Sequence, residues 1–581
     1  MTAASHSNRR QWALLGLMLV CGGLIAARLV QLQVLLQPCL SARAERNATG
    51  KVTIPGPRGK ILDRRGQVLA ISVPTHVLLA RPSHLSARGL RVLERAAGTP
   101  GRLTRRARRD TWIPVTRTCG ERCKATVLAA VEQGRVNRRA VHLEPSFERR
   151  YPFGPLAAHV LGFVNRDGVP EGAEREFDDL LRSSRRDLLL ERDARLQVLG
   201  SRARGAEQTP PSSVMLTLDL RIQQRLEQEL QRSVEQHAAR RAMGVVLDPR
   251  SGEVLAMASY PTYDPNHFSR AVAHHRNLAI GHTFEPGSVI KPLTAAALIE
   301  TGSVSPRQTV YCEQGRWYWK GEGRGRPIRD HHPHQWLTLP QVLEVSSNIG
   351  IAKLSLRLSE QQLYQTLQRF GLGRRTGIDL PAEASGALRS PSHWQGRDRL
   401  AVAFGHNLST TVLQLAAAYG ALARDGRRPV PTIARAWADP EGRWHSLERS
   451  HRAVQAVSAG TARRVSTWLE AVIAGEHGTA HRAAVPGYRA AGKTGTAEKI
   501  VAGTYDRRRN ISTFAGFAPT TDPAAVVVIT IDEPSRAGRD AGTVAAPAFS
   551  AVMAETLRLL RIPPSDPAAP TLVAARDRKR P

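Results

Sequence analysis

Apolar positions along this chain fall into distinct regimes. From Trp12 to Leu36 they are nearly continuous. As a helix this stretch would span roughly 37 Å, enough to cross a bilayer. Arg28 interrupts it toward the distal end, where a long side chain snorkels to the interface. Arg9 and Arg10 precede it, so the positive-inside rule places the N-terminus in the cytoplasm. A cleaved signal peptide is the competing reading, with Ala42-Arg43-Ala44 as an A-x-A site. The apolar stretch is long for an h-region, which favours an uncleaved anchor. No second span follows, so the remainder is expected outside the inner membrane.

After a polar linker at 43–50 the apolar runs become short. Pro57 to Gly66 reads as strand and turn, and Val68 to Val73 as a strand. Onward to Gln208 the chain is Arg-rich, with islands at Tyr151–Pro155, Leu161–Val164 and Gly172–Phe177. This pattern predicts a mixed, partly extended module. Thr209-Pro-Pro-Ser-Ser213 marks a boundary. Beyond it an amphipathic helix opens at Thr217 and runs to about His237. Gly244–Gly252 and Glu253–Ala258 predict a hairpin. Leu337–Leu356 reads as mainly helical, Ala490–Ala497, Ser512–Ala518 and Ala525–Ile531 as strands, and Ala545–Leu560 as a final helix. The tail after Pro563 is Pro/Ala/Arg-rich and expected to be disordered. The divisions are thus 1–11, cytoplasmic; 12–36, anchor; 37–210, a non-catalytic module; 211–562, a second domain; and 563–581, the tail.

Charge changes the picture less than its size suggests. The formal net charge is +33, but the basic residues are scattered and aromatics are only 5%, so no nucleic-acid surface is implied. An anionic surrounding, such as a membrane surface or cell-wall polymer, suits it better. Only nine of the 83 basic residues are Lys; the rest are Arg. There are five Cys. Cys119 and Cys123 suit either a small disulfide in an oxidising compartment or an unpaired structural role, and Cys312 has no evident partner.

The candidate chemistry centres on Glu285-Pro-Gly-Ser-Val-Ile-Lys-Pro292. Ser288 and Lys291 form S-x-x-K after a Pro-Gly break and ahead of an apolar helix-forming run. One helical turn separates them, which sets the amine beside the hydroxyl. A serine alcohol needs such a base to act as nucleophile. In a chain that writes Arg almost everywhere, Lys291 looks chosen for chemistry, because Arg cannot accept a proton. Ser346-Ser-Asn348 follows, then Lys493-Thr-Gly-Thr496. Asp330-His-His-Pro-His334 reads as an exposed polar loop rather than a metal cluster.

These three motifs, in this order, resemble the signature of penicillin-binding proteins. The likeness extends to Arg58–Arg64, Glu171–Glu174, Leu216–Arg221, Gly516–Pro519 and Ala545–Phe549. It is closest to the class B, septal FtsI-type transpeptidases. The resemblance implies an α/β (α+β) chain. After the anchor would come a mixed, mainly-β pedestal or dimerisation-type module, then a penicillin-binding transpeptidase domain with an antiparallel sheet flanked by helices. It implies a peptidoglycan D,D-transpeptidase without a glycosyltransferase domain, cofactor or metal. Ser288 would be the nucleophile and Lys291 its base. Ser346 would relay the proton, and Asn348 would hold the substrate amide. Lys493, Thr494 and Thr496 would bind the terminal carboxylate, and Gly495 would leave room for the substrate backbone. Backbone N–H groups of Ser288 and Thr496 would form the oxyanion hole. Expected partners are D-Ala-D-Ala stem peptides, β-lactams, an FtsW-type glycan polymerase and other divisome proteins. Other readings are an elongation-type transpeptidase, a division-related paralogue, a carboxypeptidase or lactamase, and a non-catalytic scaffold. Two departures from the septal pattern bear on this choice: Asn407 stands where the family shows Gly, and Val412 where it shows Pro. Asn tolerates the left-handed conformation such a turn needs.

Overall fold

The apolar N-terminal stretch forms a helix, α1 (Ala4–Val30), continued by a π-helical turn at Gln31–Leu35. Its residues Trp12–Leu35 are long and apolar enough to cross a membrane. Large side chains such as Trp12, Met18 and Leu24 are exposed. That is consistent with a single-pass anchor whose solvent is lipid. The computed structural model describes residues 4–37, 49–54, 56–108, 112–165, 168–183, 186–192, 198–204, 210–319, 327–447, 453–501, 504–536 and 538–565. Most of the linker at 43–50 and most of the tail after Pro563 lie outside the described residues.

The chain divides into two compact units. One comprises Met1–Pro57, Val73–Glu148 and Ser183–Pro210. There Ile113–Cys119 pairs antiparallel with a strand through His76–Ala80. Helices Ala87–Ala97 and Glu121–Glu132 contribute Leu90, Leu93 and Val127 to a small core with Leu78 and Val115. Ser86 caps the first helix by accepting from Gly89 N–H, and Gly98 ends it in the left-handed region. Cys119 and Cys123 form a disulfide. Thr49–Ile54, Arg186–Arg192 and Val198–Arg204 make a three-stranded antiparallel sheet.

The second unit comprises Arg58–Ser72, Arg149–Arg182 and Pro211–Pro581. Two islands of the resemblance meet inside it. The Glu174 carboxylate is fully buried and accepts from Arg58 Nε at 2.9 Å and Arg149 Nε at 2.5 Å. Removing either arginine would leave a buried charge short of its partner, which is strongly destabilising.

Five antiparallel strands form the central sheet of this unit: β1 (Arg241–Leu247), β2 (Val254–Tyr260), β3 (Ala491–Val501), β4 (Thr504–Ala518) and β5 (Ala525–Asp532), in the order β2-β1-β5-β4-β3. Every residue of β5 is buried, so both faces are covered. Helices α2 (Leu220–His237) and α8 (Ala546–Leu559) pack on the sheet and on each other. So do α6 (Val412–Ala423) and α7 (Ala459–Ala474). Strand β3 is one of the sheet's two edges.

Two sequence-based boundaries shift. The helix expected from Thr217 begins at Leu220, because Ser213–Leu216 is taken into a strand that pairs with Ala434–Ala438. Asp219 caps the helix. The helix expected over 337–356 is two, α4 (Leu339–Glu344) and α5 (Asn348–Ser355). Ser346 between them has φ +61°, a conformation no helix interior allows.

Candidate active site

The turn that carries Ser288 is held from several sides. Gly287–Ile290 is a 3₁₀ turn leading into α3 (Lys291–Glu300), with Pro292 in the first helical turn, where its missing N–H costs nothing. Gly287 has φ +60° and donates its N–H to Gly405 O. A Cβ on Gly405 would lie 1.9 Å from Gly287 O, so only glycine fits there. The buried Tyr419 hydroxyl donates to Val289 O at 2.9 Å. The Glu285 carboxylate accepts from Asn407 N–H at 2.9 Å and from the Tyr505 hydroxyl at 3.1 Å. It also lies 2.9 Å from His406 Nδ1. Asn407 has φ +57°, so the turn survives the departure from glycine. The other departure also fits: Thr411 and Gln414 form a capping box at the start of α6, and Val412 opens that helix.

Lys291 is fully buried. Its Nζ donates to Ser346 O at 2.5 Å and lies 3.3 Å from Ser346 Oγ. The left-handed Ser346 thus presents both its carbonyl and its hydroxyl to the amine. Burial drives the Lys291 pKa well below the ordinary lysine value; Lys493 pushes it the same way and Asp330 pulls it back.

Asp330 is the residue that sequence reasoning missed. It belongs to the predicted exposed loop, where His331 and His332 are indeed exposed. Its carboxylate instead accepts from Ser347 Oγ at 2.5 Å, Asn348 N–H at 2.6 Å and Ile349 N–H at 3.0 Å. It satisfies first-turn donors of α5 and so fixes the Ser-Ser-Asn segment. Asn348 Nδ2 donates to Arg329 O at 2.8 Å. The unmet N–H groups after a Ser-Ser-Asn break call for an acceptor, but nothing local says which acid supplies it.

On β3, Lys493 is also fully buried, and burial takes its pKa down to about 7 while Asp540 opposes the shift. Its Nζ lies 3.2 Å from Thr494 Oγ1, which in turn meets Thr479 Oγ1 at 3.1 Å. Thr496 Oγ1 accepts from Ala541 N–H at 3.2 Å. Gly495 lies against the Ser288 turn. A Cβ there would lie 2.7 Å from Pro286 O and 2.9 Å from Val289 Cγ1. The Ser288 turn fills the space on that side of Gly495. The structure therefore brings the three motifs together: Lys291 on Ser346, Gly495 on the Ser288 turn, and Lys493 within electrostatic reach of Lys291.

Residues 242–554 match the penicillin-binding protein transpeptidase domain, and 53–199 the penicillin-binding protein dimerisation domain. The chain is 32% identical over 576 residues to a probable peptidoglycan D,D-transpeptidase, PenA, of Neisseria meningitidis, covering 97% of this chain and 94% of that one. It is 30% identical over 572 residues to the peptidoglycan D,D-transpeptidase FtsI of Escherichia coli, covering 96% and 94%. Its structure is similar to that of penicillin-binding protein 3 from Mycobacterium tuberculosis complexed with aztreonam. That match has a TM-score of 0.69 and 30% identity, over 89% of this chain and 99% of that one.

Proposed function

The chain belongs to the class B penicillin-binding proteins and is a peptidoglycan D,D-transpeptidase, and from that premise we propose that it cross-links stem peptides at the division septum with Ser288 as nucleophile. The observation that carries the site assignment is the buried Lys291 amine, one turn from Ser288 and against Ser346. Burial disfavours its charged form, which makes it a better proton acceptor than an ordinary lysine.

In this reading Ser288 Oγ attacks the carbonyl between the two terminal D-alanines of a donor peptide. Lys291 takes the hydroxyl proton. Backbone N–H groups of Ser288 and Thr496 hold the oxyanion. The C–N bond breaks, Ser346 passes a proton to the leaving amine, and D-alanine departs from the Ser288 ester. An amine of a neighbouring stem peptide attacks that ester, forms the new amide and returns Ser288 to its hydroxyl. Lys493, Thr494 and Thr496 bind the terminal carboxylate, and Asn348 holds the donor amide. The anchor is oriented with its N-terminus in the cytoplasm, and the chain is ordered as 1–11, 12–36, 37–210, 211–562 and 563–581, with 58–72 and 149–182 folding beside the residues of 211–562. The septal role is supported by the likeness to FtsI over 96% of this chain.

A β-lactam, which mimics D-Ala-D-Ala, is expected to acylate Ser288 and leave slowly. Mass spectrometry of the treated protein tests this. An unmodified Ser288 peptide, or rapid turnover of the drug, would sink the assignment. Depletion is expected to give filaments; rounded cells of lost rod shape would instead point to elongation.

A further inference from the structure

The sheet that carries β3 has a second polar cleft. It encloses about 640 Å³ and is walled by the C-terminal end of α6, one side of α7, the β1–β2 and β4–β5 turns, and Arg489. Four arginines line it. Three have an acid partner: Arg250 with Asp522, Arg489 with Glu470, and Arg463 with Asp425 at 2.9 Å. Arg424 has no ion-pair partner among the described residues, and its Nη1 is buried with no hydrogen-bond partner. Thr520 Oγ1, in the same cleft, is also buried and without a partner.

We propose that this cleft is a second binding site, for a carboxylate of a peptide-bearing glycan strand. The ligand class rests on the peptidoglycan reading above; the anion site does not. A buried donor without an acceptor is costly, and here two stand in one cleft. A carboxylate supplies acceptors for such donors, and the planar guanidinium fork matches it. The cleft is within the usual ligand-pocket range of about 300–1,000 Å³, yet its charged lining does not suit an apolar ligand. The acids decide between anion sources. Asp425, Glu470 and Asp522 leave the four arginines only a small positive excess, enough for one carboxylate but unsuited to a densely anionic membrane surface. They accept hydrogen bonds from hydroxyl and amino groups, which a glycan strand with stem peptides carries in number. Arg489 precedes Gly495 by six residues, about 20 Å of extended chain. A strand held in the cleft would therefore be presented to the Ser288 region at a raised local concentration.

The test uses full-length protein in detergent with Ser288 already blocked by a β-lactam, so that the catalytic cleft is occupied. The probe is a soluble disaccharide carrying one uncross-linked stem peptide, followed by calorimetry. Wild type is expected to bind it, and R424Q to bind about tenfold or more weakly. T520V, nearly isosteric, is expected to weaken binding less and keeps the test open if R424Q does not fold. Undiminished binding by both variants overturns the proposal. Binding of inorganic phosphate or phosphatidylglycerol vesicles in preference to the glycopeptide overturns it as well. The blocking step is an independent readout: failure of the β-lactam to label Ser288 would count against the catalytic reading, whereas normal labelling without glycopeptide binding would count only against this site.

Discussion

Lys291 and Lys493 are two of only nine lysines, and both are fully buried. The scarcity was legible in the sequence; the burial was not, because it arises from segments far apart in the chain. For Lys291 the expectation concerns rate. Acylation needs the neutral amine, so its rate should rise with pH and level off well below the ordinary lysine range, since burial lowers the Lys291 pKa. Lys291→Arg keeps the charge and the long stem but offers no neutral form. We expect acylation by penicillin to fall about 10²–10⁴-fold, as for loss of a general base, with the protein still folded. Acylation within a few-fold of wild type would return Lys291 to an electrostatic role. For Lys493 the expectation concerns stability. Its folded pKa is about 7, against about 10.4 in the unfolded chain. Between these values the unfolded state binds more protons, so stability rises with pH. The cost of the buried charge is full below pH 7 and gone near pH 10.4. Lys493→Met should therefore raise Tm by a few degrees at pH 7, and the gain should shrink as pH rises; a gain that grows with pH would contradict the assignment.

At the scale of elements, the hairpin, the K-T-G strand and the last helix were readable because their periodicity is local. The break between α4 and α5 was not. Apolar residues continue on both sides of it, from Leu339, Val342 and Leu343 to Ile349, Ile351 and Leu354, all buried. The available clue was capping chemistry: Ser347 accepts from Gly350 N–H as the cap of α5. Asp330, which completes that cap, is too far along the chain to be read from it. Gly495 shows the same limit. Its residue type marks a close approach, but nothing local says that the turn of Ser288 makes it. Gly495→Ala would press a methyl against Pro286 O and Val289. It should move β3 off the turn and lower the acylation rate about 10²-fold, with a smaller effect on Tm. Equal losses of both would mark a folding defect instead.

For the whole molecule, the order of anchor, pedestal and transpeptidase domain was visible, but its wiring was not. Residues 58–72 and 149–182 join the unit that holds the transpeptidase site. Their link is the Arg58–Glu174 pair, 116 residues apart in sequence, and such non-local contacts leave no periodic trace. We expect the protein to co-purify with a polytopic glycan polymerase through the anchor and residues before 210. Pull-down of a chimaera in which both are replaced checks this: undiminished recovery of the polymerase would count against it.

The contact between Gly287 and Gly405 has an evolutionary consequence. The room for any side chain on Gly405 is already taken by Gly287 O. A lineage exposed to β-lactams therefore cannot loosen the wall behind Ser288 by a single codon change at position 405 and keep the turn. Tolerant variation must be found elsewhere, at more exposed neighbours such as His406 and Tyr505, whose side chains reach the same turn only through Glu285. Inherited change around Ser288 is thus constrained wherever two chain segments touch without side chains between them.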